Sequence, residues 1–292
     1  MSGKITLSNT GASRKNPEGV PMSNSALSPS SEILEGIISV KAAIEAGSRQ
    51  IFNVFVDLDK YKKRDRKITA FVSFLKAHGI KPEFCERGVI DAFVQSSGKD
   101  SGSTHGGVAA SVGGRIYRDV SDILDKTVSE NGFCVYLDGV EDPFNLGYAF
   151  RALYASGASG IILPGNERSG GAGVLARSSA GASEYMSCAR FSGNDSSENR
   201  LKLISEIKKR GIKLCCSAVS QSSEAVFSYS GGFPMILFIG GEKRGISPEF
   251  MEKADRLIHI PYASPEIRYS LPTATVAAVA GFELFRIKNG VK

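Results

Sequence analysis

Three stretches of the chain combine glycines with charged or amide side chains, and each follows an apolar run. The first runs from Leu137 to Gly147 and leads into a helical pattern that contains Arg151. Asn145 is suited to cap that helix, and Gly147 lies one turn before Arg151, where it leaves space around the guanidinium. An arginine near a helix start can bind phosphate or stabilise a developing oxyanion. Taken alone, a solvated arginine on an amphipathic helix is the alternative.

The second stretch joins the apolar run 236–239 to a loop that contains Gly240, Gly241, Glu242 and Gly245. Glycines allow the backbone of such a loop to approach a ligand closely. The spacing matches neither the GxxxxGK[ST] phosphate loop nor the GxGxxG fingerprint, so we do not expect a nucleoside triphosphate or a dinucleotide. A charged turn without a ligand is the alternative.

The third stretch places Ile260 and Pro261 before a loop, and Ser270 and Leu271 at the start of an alanine-rich helix. Small side chains indicate that this helix packs closely against another element. A simple contact between helix and sheet is the alternative to a ligand site.

Basic residues are densest between positions 60 and 67, where Lys62, Lys63, Arg64 and Arg66 follow Tyr61. Such a run can grip phosphates and would then bind RNA in a salt-sensitive way. A solvated loop and helix start is the alternative. The formal net charge of +6 fits a polyanionic partner but is a weak argument for one.

The bulk composition is that of a globular protein, with 42% hydrophobic and 23% charged residues among 292. The length predicts two domains and a tail, which we place at 31–114, 119–292 and 1–30, the tail being disordered. No run is apolar for long enough to span a bilayer. The five cysteines lack the spacing of a metal site, so we expect buried reduced thiols, no metal and a cytoplasmic location.

Apolar periodicity predicts alternating strands and helices in both domains. In the first domain we expect helices from about Ile33 to Gly47, at 65–77 and at 89–95, with strands at 51–56, 82–85 and 107–112 and a loop at 95–106. In the second we expect strands at 133–137, 160–163, 213–218, 234–239 and 257–260, and helices at 145–156, 173–179, 198–210, 248–254 and 271–288. This alternation predicts an α/β fold with a mostly parallel, doubly wound sheet and ligand sites at the carboxyl ends of its strands.

Taken together, the three stretches resemble the three motifs of the SpoU/TrmH branch of the SPOUT methyltransferases. The correspondence runs through Asn145, Gly147 and Arg151, then Gly240, Glu242 and Gly245, then Ile260, Pro261, Ser270 and Leu271. Residues 177–182 also resemble the family's Ser-x-Gly-Ala stretch. The resemblance covers the chain from about Asp119 onward, and the first domain is similar to the family's small ribosomal-protein-like substrate-binding domain.

The resemblance implies a SPOUT fold with a C-terminal trefoil knot, a homodimer, and methylation of a ribose 2′-hydroxyl in structured RNA, ribosomal RNA ahead of transfer RNA. It implies that S-adenosylmethionine is held by Gly240, Gly241, Gly245, Ile260, Pro261, Ser270 and Leu271. Catalysis then falls to Arg151 with Asn145 and Glu242, and RNA contacts to Lys62, Lys63, Arg64, Arg66 and Arg151. Because arginine titrates above about 12, Arg151 is expected to stabilise an alkoxide or to position phosphate, and Glu242 to orient Arg151 or the substrate.

One position departs from the family pattern. Pro272 stands where the family usually has an asparagine after Ser-Leu. Proline suits the first turn of a helix, but a side-chain donor is lost, and Thr273 or Thr275 is the nearest replacement. A non-catalytic RNA-binding member of the same fold is therefore the alternative to an active ribose methyltransferase. Methylation of a base instead of the ribose is a third, more remote hypothesis.

Overall fold

The computed structural model describes residues 31–96, 105–165, 171–191, 196–264 and 270–291. The tail predicted at 1–30 and most of the loop predicted at 95–106 lie outside these residues. The described part contains two β-sheets, one of four strands and one of seven. The boundary predicted between 114 and 119 falls after the last strand of the first sheet and before a helix that begins at Val120.

The N-terminal part surrounds the four-stranded sheet, whose strand order is β1-β4-β2-β3. Its elements are β1 (Glu32–Glu35), α1 (Gly36–Ala46), β2 (Ile51–Asp57), α2 (Leu58–Lys62), α3 (Arg66–Ala77), β3 (Glu83–Cys85), α4 (Arg87–Gln95) and β4 (Val108–Val112). β4 pairs antiparallel with both β1 and β2, and β3 pairs parallel with β2.

The start of this part differs from the prediction. Residues 32–35 form a strand rather than the beginning of the first helix, because Ile33 and Leu34 are buried in register with β4. Gly36, with a φ of 80°, turns the chain from that strand into α1. The short helix α2 was also not predicted, since its five residues are too few to show a helical period.

The C-terminal part surrounds the seven-stranded sheet. Its elements are α5 (Val120–Ser129), β5 (Phe133–Asp138), α6 (Pro143–Ala155), β6 (Ile161–Pro164), α7 (Ala172–Ser178), α8 (Ala182–Tyr185), β7 (Cys188–Phe191), α9 (Ser197–Lys209), β8 (Lys213–Ser217), β9 (Glu224–Ala225), β10 (Met235–Gly240), α10 (Pro248–Lys253), β11 (Arg256–His259) and α11 (Thr273–Asn289). Every neighbouring pair in the order β7-β6-β5-β10-β8-β11-β9 is parallel. The predicted parallel α/β sheet is confirmed, although the edge strands β7 and β9 were missed.

Strands β5 and β10 lie side by side at the centre of this sheet, with Asp138 in register with Gly240. From β5 the chain continues to β6 on one side, whereas from β10 it continues through α10 to β11 on the other. The carboxyl ends of β5 and β10 therefore meet where the winding direction changes. Open α/β sheets bind their ligands at such a switch point.

The central strands are buried on both faces, which explains their nearly continuous apolar sequences. On one face, Phe133, Val135 and Leu137 pack with Phe150 of α6 and Leu284 of α11. These contacts hold α6 and α11 side by side over the sheet. Burying each such large apolar side chain contributes about 1.5–3 kcal/mol.

On the other face, Tyr136 and Phe238 stack with ring centroids 5.1 Å apart, and Phe250 of α10 packs against both. Helices α5 and α9 complete this layer. The second face thus fixes α10, the helix that follows the glycine-containing loop after β10.

The two parts of the chain are joined by a buried polar contact. The Arg49 guanidinium lies 2.8 Å from the Glu184 carboxylate of α8, and both side chains are at most 2% exposed. Ser48 donates a further hydrogen bond to Glu184. Gly173 of α7 lies so close to β1 that an added Cβ would stand 2.7 Å from the Ile33 carbonyl. The N-terminal part is therefore packed directly on α7 and α8.

None of the described helices has the length and apolar character needed to cross a membrane. Within the same residues, no three His, Cys, Asp or Glu side chains are grouped as metal ligands. All five cysteines are free and buried, as predicted. Burial raises the pKa of the Cys134 thiol to about 12, so this thiol stays protonated and unreactive at neutral pH.

Candidate active site

A cavity of about 870 Å³ opens at the carboxyl ends of β8, β10 and β11. The seven residues predicted to hold the cofactor, which come from two motifs, all line it: Gly240, Gly241, Gly245, Ile260, Pro261, Ser270 and Leu271. The loop after β10 forms one wall and the start of α11 forms another. The fold thus brings the second and third motifs together around one space.

The glycines of the loop after β10 are explained by close contacts of the chain with itself. A Cβ on Gly240 would lie 2.4 Å from the carbonyl carbon of Gly245, and one on Gly241 would lie 2.1 Å from the carbonyl oxygen of Gly139. Gly245 has a φ of 68°, which side chains other than glycine rarely adopt. The sequence interpretation attributed these glycines to the approach of a ligand; the described contacts are with the protein backbone.

Asp138, at the end of β5, anchors both ends of this loop. Its carbonyl oxygen accepts a hydrogen bond from the Gly241 N–H at 2.6 Å, and its carboxylate accepts one from the Ser247 N–H at 2.7 Å. The side chain is buried. The sequence interpretation gave Asp138 no role, although a carboxylate that ends a wholly apolar strand is a recognisable signal.

A second cavity of about 260 Å³ adjoins the first and shares two lining residues with it, Glu242 and Thr273. Its other lining residues are Gly139, Val140, Glu141, Asp142, Asn145 and Lys243. The Asn145 amide donates a hydrogen bond of 2.7 Å to the Glu242 carboxylate. This bond unites the first and second motifs across 97 residues of sequence.

The predicted helix cap is wrong. Helix α6 begins at Pro143, and the Asp142 carboxylate accepts the N–H groups of Phe144 and Asn145 at 3.3 Å and 3.0 Å. Proline at the first helical position lacks the N–H that would need a partner, which moves the start ahead of Asn145. Asn145 therefore lies inside the first turn, where its side chain is available to Glu242.

The predicted role of Gly147 is also wrong. Gly147 is buried against α7, and a Cβ there would stand 1.8 Å from the Ser178 hydroxyl oxygen. The missing side chain therefore permits close packing of α6 on α7 and does not open space around Arg151.

Arg151 lies on the exposed face of α6 and lines neither of the two cavities described above. Among the described residues it has no hydrogen-bond or ion-pair partner, and Glu242 contacts Asn145 instead. Phe144 and Tyr148, 45% and 51% exposed, share its helical face. The fold of one chain therefore assembles Asn145 with Glu242 but leaves Arg151 apart from them.

The outer rim of the smaller cavity carries an ion pair between Lys243 and Glu141, with 2.5 Å between nitrogen and oxygen. Both side chains are exposed, so the pair contributes little to stability. The hydrogen bond from Lys243, together with its positive charge, lowers the pKa of Glu141. Glu141 therefore stays ionised at neutral pH.

Several lining residues of the larger cavity were not predicted. Ser217 is the last residue of β8, Ala218 and Val219 follow it, and Met251 comes from α10. A strand was predicted at 213–218, so the rule that ligands lie at strand carboxyl ends would have included the first three. No sequence signal identifies Met251, whose position depends on how α10 packs.

The third motif departs from the family pattern at the start of α11. Pro272 is the N-cap of α11 and makes no side-chain hydrogen bond there. Thr273 is 2% exposed, and its hydroxyl donates to the Gly240 carbonyl at 3.0 Å. Thr275 is exposed and lines neither cavity. Of the two threonines considered as replacements, only Thr273 lies at the site.

The basic run forms the end of α2, a turn and the start of α3. Lys62, Lys63, Arg64 and Arg66 are all exposed, and none forms an ion pair with another described residue. Arg64 occupies the turn with a φ of 57°. In α9, by contrast, Lys202, Lys209 and other bases are paired with acids. The run therefore presents uncompensated positive charge.

Comparison with known protein families finds a match for the part of the chain that carries this geometry. Residues 132–280 match the model of the SpoU rRNA Methylase family; this range is 149 of the 292 residues and includes the glycine loop after β10 and the first eight residues of α11. The chain belongs to the SpoU rRNA methylase family. The matched range contains Asn145, Glu242 and the seven residues predicted to hold the cofactor.

Relatives extend the similarity of this SpoU family member over nearly the whole chain. The 23S rRNA (guanosine-2′-O-)-methyltransferase RlmB of Yersinia pestis is 29% identical over 267 residues, covering 90% of this chain and 99% of that protein. The same-named protein of Photorhabdus laumondii is 28% identical over 263 residues, covering 89% and 99%.

Solved structures share the fold. The SpoU methyltransferase AviRb from Streptomyces viridochromogenes, in complex with the cofactor AdoMet, aligns with a TM-score of 0.69 at 20% identity over 89% of this chain and 92% of that chain. The AdoMet-bound rRNA methyltransferase from Sinorhizobium meliloti aligns with a TM-score of 0.65 at 23% identity over 88% of each chain. At these identities the likeness establishes the α/β architecture.

Proposed function

We propose that this SpoU family member transfers a methyl group from S-adenosylmethionine to the 2′-hydroxyl of a ribose in structured RNA, with ribosomal RNA preferred to transfer RNA. The observation that carries the proposal is the pair of adjoining cavities with Glu242 and Thr273 in their common wall. One cavity is large enough for a cofactor, and the other is suited to the acceptor nucleotide.

The larger cavity fits S-adenosylmethionine in size and chemistry. Its volume lies within the range of about 300–1,000 Å³ typical of small-molecule sites. Ile239, Ile246 and Val276 offer apolar surface, and the backbone of Gly240 and Leu271 offers polar groups. When bound, the cofactor supplies an electrophilic methyl group on a sulfonium. The chain's own part is to hold it against the wall that carries Glu242.

On the acceptor side, the ribose hydroxyl must become more nucleophilic than it is in water. Asn145 and Glu242 hold each other in one orientation, so their remaining polar atoms are set to bind the acceptor nucleotide. The guanidinium of Arg151 would stabilise the negative charge that develops on the ribose oxygen while the hydroxyl proton passes to solvent. Removing one such stabilising group typically costs a factor of about 10²–10³ in rate.

A homodimer would supply Arg151, which one chain leaves outside both cavities. Phe144 and Tyr148 of α6 and Phe282 and Phe285 of α11 are between 41% and 51% exposed. Since α6 and α11 pack side by side, we infer that a second copy covers the exposed aromatic residues of both helices. Arg151 lies on the same face as Phe144 and Tyr148, and pairing there would bring it to the partner's site.

Family membership supports a trefoil knot at the C-terminal end and a cytoplasmic protein. We assign residues 31–114 to a ribosomal-protein-like RNA-binding domain, because Lys62, Lys63, Arg64 and Arg66 are exposed and uncompensated. The names of the relatives favour ribosomal RNA as substrate.

The test is methylation of unmodified ribosomal and transfer RNA with S-adenosylmethionine that carries an isotope-labelled methyl group, followed by digestion to nucleosides. A labelled 2′-O-methylnucleoside is the expected product, in ribosomal RNA above transfer RNA. Label found on a base would show that a base, and not the ribose, accepts the methyl group. RNA binding without any transfer would favour the non-catalytic alternative, for which the replacement at Pro272 is the specific observation.

A further inference from the structure

We propose that Thr273 is a positioning residue of the transfer site, which holds the start of α11 against the end of β10 and compensates for Pro272. This inference rests on the proposed function, because it takes the larger cavity to be the site of S-adenosylmethionine. Because Pro272 stands where the family usually has an asparagine, the side chain of that position cannot act here. The inference assigns a role to the hydroxyl of the next residue.

The start of α11 lacks the usual side-chain cap. Helices are commonly fixed at this end by Ser, Thr, Asp or Asn at the N-cap, whose side chain accepts a backbone N–H. Pro272 occupies that position and makes no such bond. Its two neighbours make contacts instead: the Leu271 N–H donates to the Tyr262 hydroxyl at 3.1 Å, and Thr273 makes a lateral contact with β10.

The lateral contact is the hydrogen bond of 3.0 Å from the Thr273 hydroxyl to the Gly240 carbonyl. Gly240 is the last residue of β10 and touches Gly245 so closely that no Cβ fits between them. Thr273 is 2% exposed, so water does not compete for this bond. A single hydroxyl thus joins the helix wall of the cavity to the glycine-loop wall.

Thr273 is also placed where the donor and acceptor sides meet, since it and Glu242 line both cavities. A shift of α11 relative to β10 would change the width of the larger cavity and the separation of the two sites together. Transfer rates are sensitive to displacements of about 1 Å between reacting groups. We therefore expect losses in both cofactor affinity and turnover when the bond is removed.

The experiment compares Thr273→Val, which keeps the shape and removes the hydroxyl, with Thr273→Ser, which keeps the hydroxyl. Thr275→Val is the matched control, because Thr275 lies two residues further along the same helix and is exposed. Affinity for S-adenosylmethionine is measured by calorimetry, turnover on ribosomal RNA at saturating cofactor, and unfolding temperature by calorimetric scanning. Thr273→Ala serves as a second deletion of the hydroxyl should the valine variant fail to fold.

For Thr273→Val we expect about tenfold weaker cofactor binding and about tenfold slower turnover, the size expected for one hydrogen bond. In both quantities, Thr273→Ser should stay within about twofold of wild type, and Thr275→Val should equal wild type. A lower unfolding temperature with unchanged affinity and turnover would reduce Thr273 to a structural role and overturn the inference. Wild-type protein that binds no cofactor would instead overturn the proposed function itself.

Discussion

The two sides of the site are built from different parts of the protein. The larger cavity, which we propose for the cofactor, is lined mainly by glycines and apolar side chains. The acceptor side depends on individual polar side chains, of which Asn145 and Glu242 are held together while Arg151 lies apart on the surface of α6. The difference implies that cofactor binding and methyl transfer can be lost separately.

Of all the variants, Arg151→Ala is expected to have the largest effect, and it should separate methyl transfer from cofactor binding. It should lower the transfer rate by about a thousandfold, because the alkoxide loses its stabilising charge, and leave affinity for S-adenosylmethionine within about twofold of wild type. Single-turnover methylation and calorimetry measure the two quantities. Arg151→Lys keeps the charge but not the planar donor pair and should recover only part of the rate. Full activity of the alanine variant would remove Arg151 from the mechanism.

Gly241→Ala should instead weaken cofactor binding, on the other side of the site. Its Cβ would stand 2.1 Å from the Gly139 carbonyl oxygen, so the glycine loop must move away from β5. We expect at least about a hundredfold weaker binding of S-adenosylmethionine, corresponding to about 2.7 kcal/mol. Gly114→Ala is the control, since nothing lies within 4 Å of a Cβ there. Unchanged affinity in a folded Gly241→Ala protein would show that the loop does not shape the cofactor site.

Asn145 and Glu242 offer a finer test of the acceptor side. Asn145→Ala and Glu242→Ala should each lower turnover by about tenfold or more, with cofactor affinity changed less. Because each side chain orients the other, the double variant should be little worse than the poorer single variant. Losses that multiply in the double variant would mean that the two residues act independently.

The smallest effect is expected far from both cavities. Replacing Lys62 and Lys63 by alanine should raise the RNA concentration needed for half-maximal rate by a few-fold. It should also reduce the slope of log affinity against log salt by about 0.7–0.9 per lost phosphate contact. Lys202 and Lys209, which are paired with Glu198 and Glu206, supply the control. An unchanged slope would move the RNA-binding surface elsewhere.

The sequence was most informative where local pattern and fold agree. The apolar runs at the centre of the second sheet predicted its main strands, because parallel strands buried on both faces have continuous apolar sequences. The three motif stretches were correctly expected at strand carboxyl ends, and the winding of the sheet then placed them together. These predictions needed only period and order along the chain.

Features that depend on packing between distant residues could not be predicted. Gly147 was interpreted through its neighbour Arg151, whereas its close contact is Ser178, on a different helix. Glu242 was expected to orient Arg151 or the substrate; it accepts a hydrogen bond from Asn145, which lies within the first turn of α6 because that helix starts at Pro143. The hydroxyl of Thr273 was named as a replacement donor, but its bond to Gly240 follows only from the docking of α11 on β10.

Calorimetric titration of the purified protein with S-adenosylmethionine tests the central claim most directly, because it requires no knowledge of the RNA. We predict saturable binding of about one cofactor per chain by wild type and by Arg151→Ala, and loss of that binding in Gly241→Ala. A folded wild-type protein that binds no S-adenosylmethionine, or a Gly241→Ala variant that binds it as well as wild type, would contradict the account.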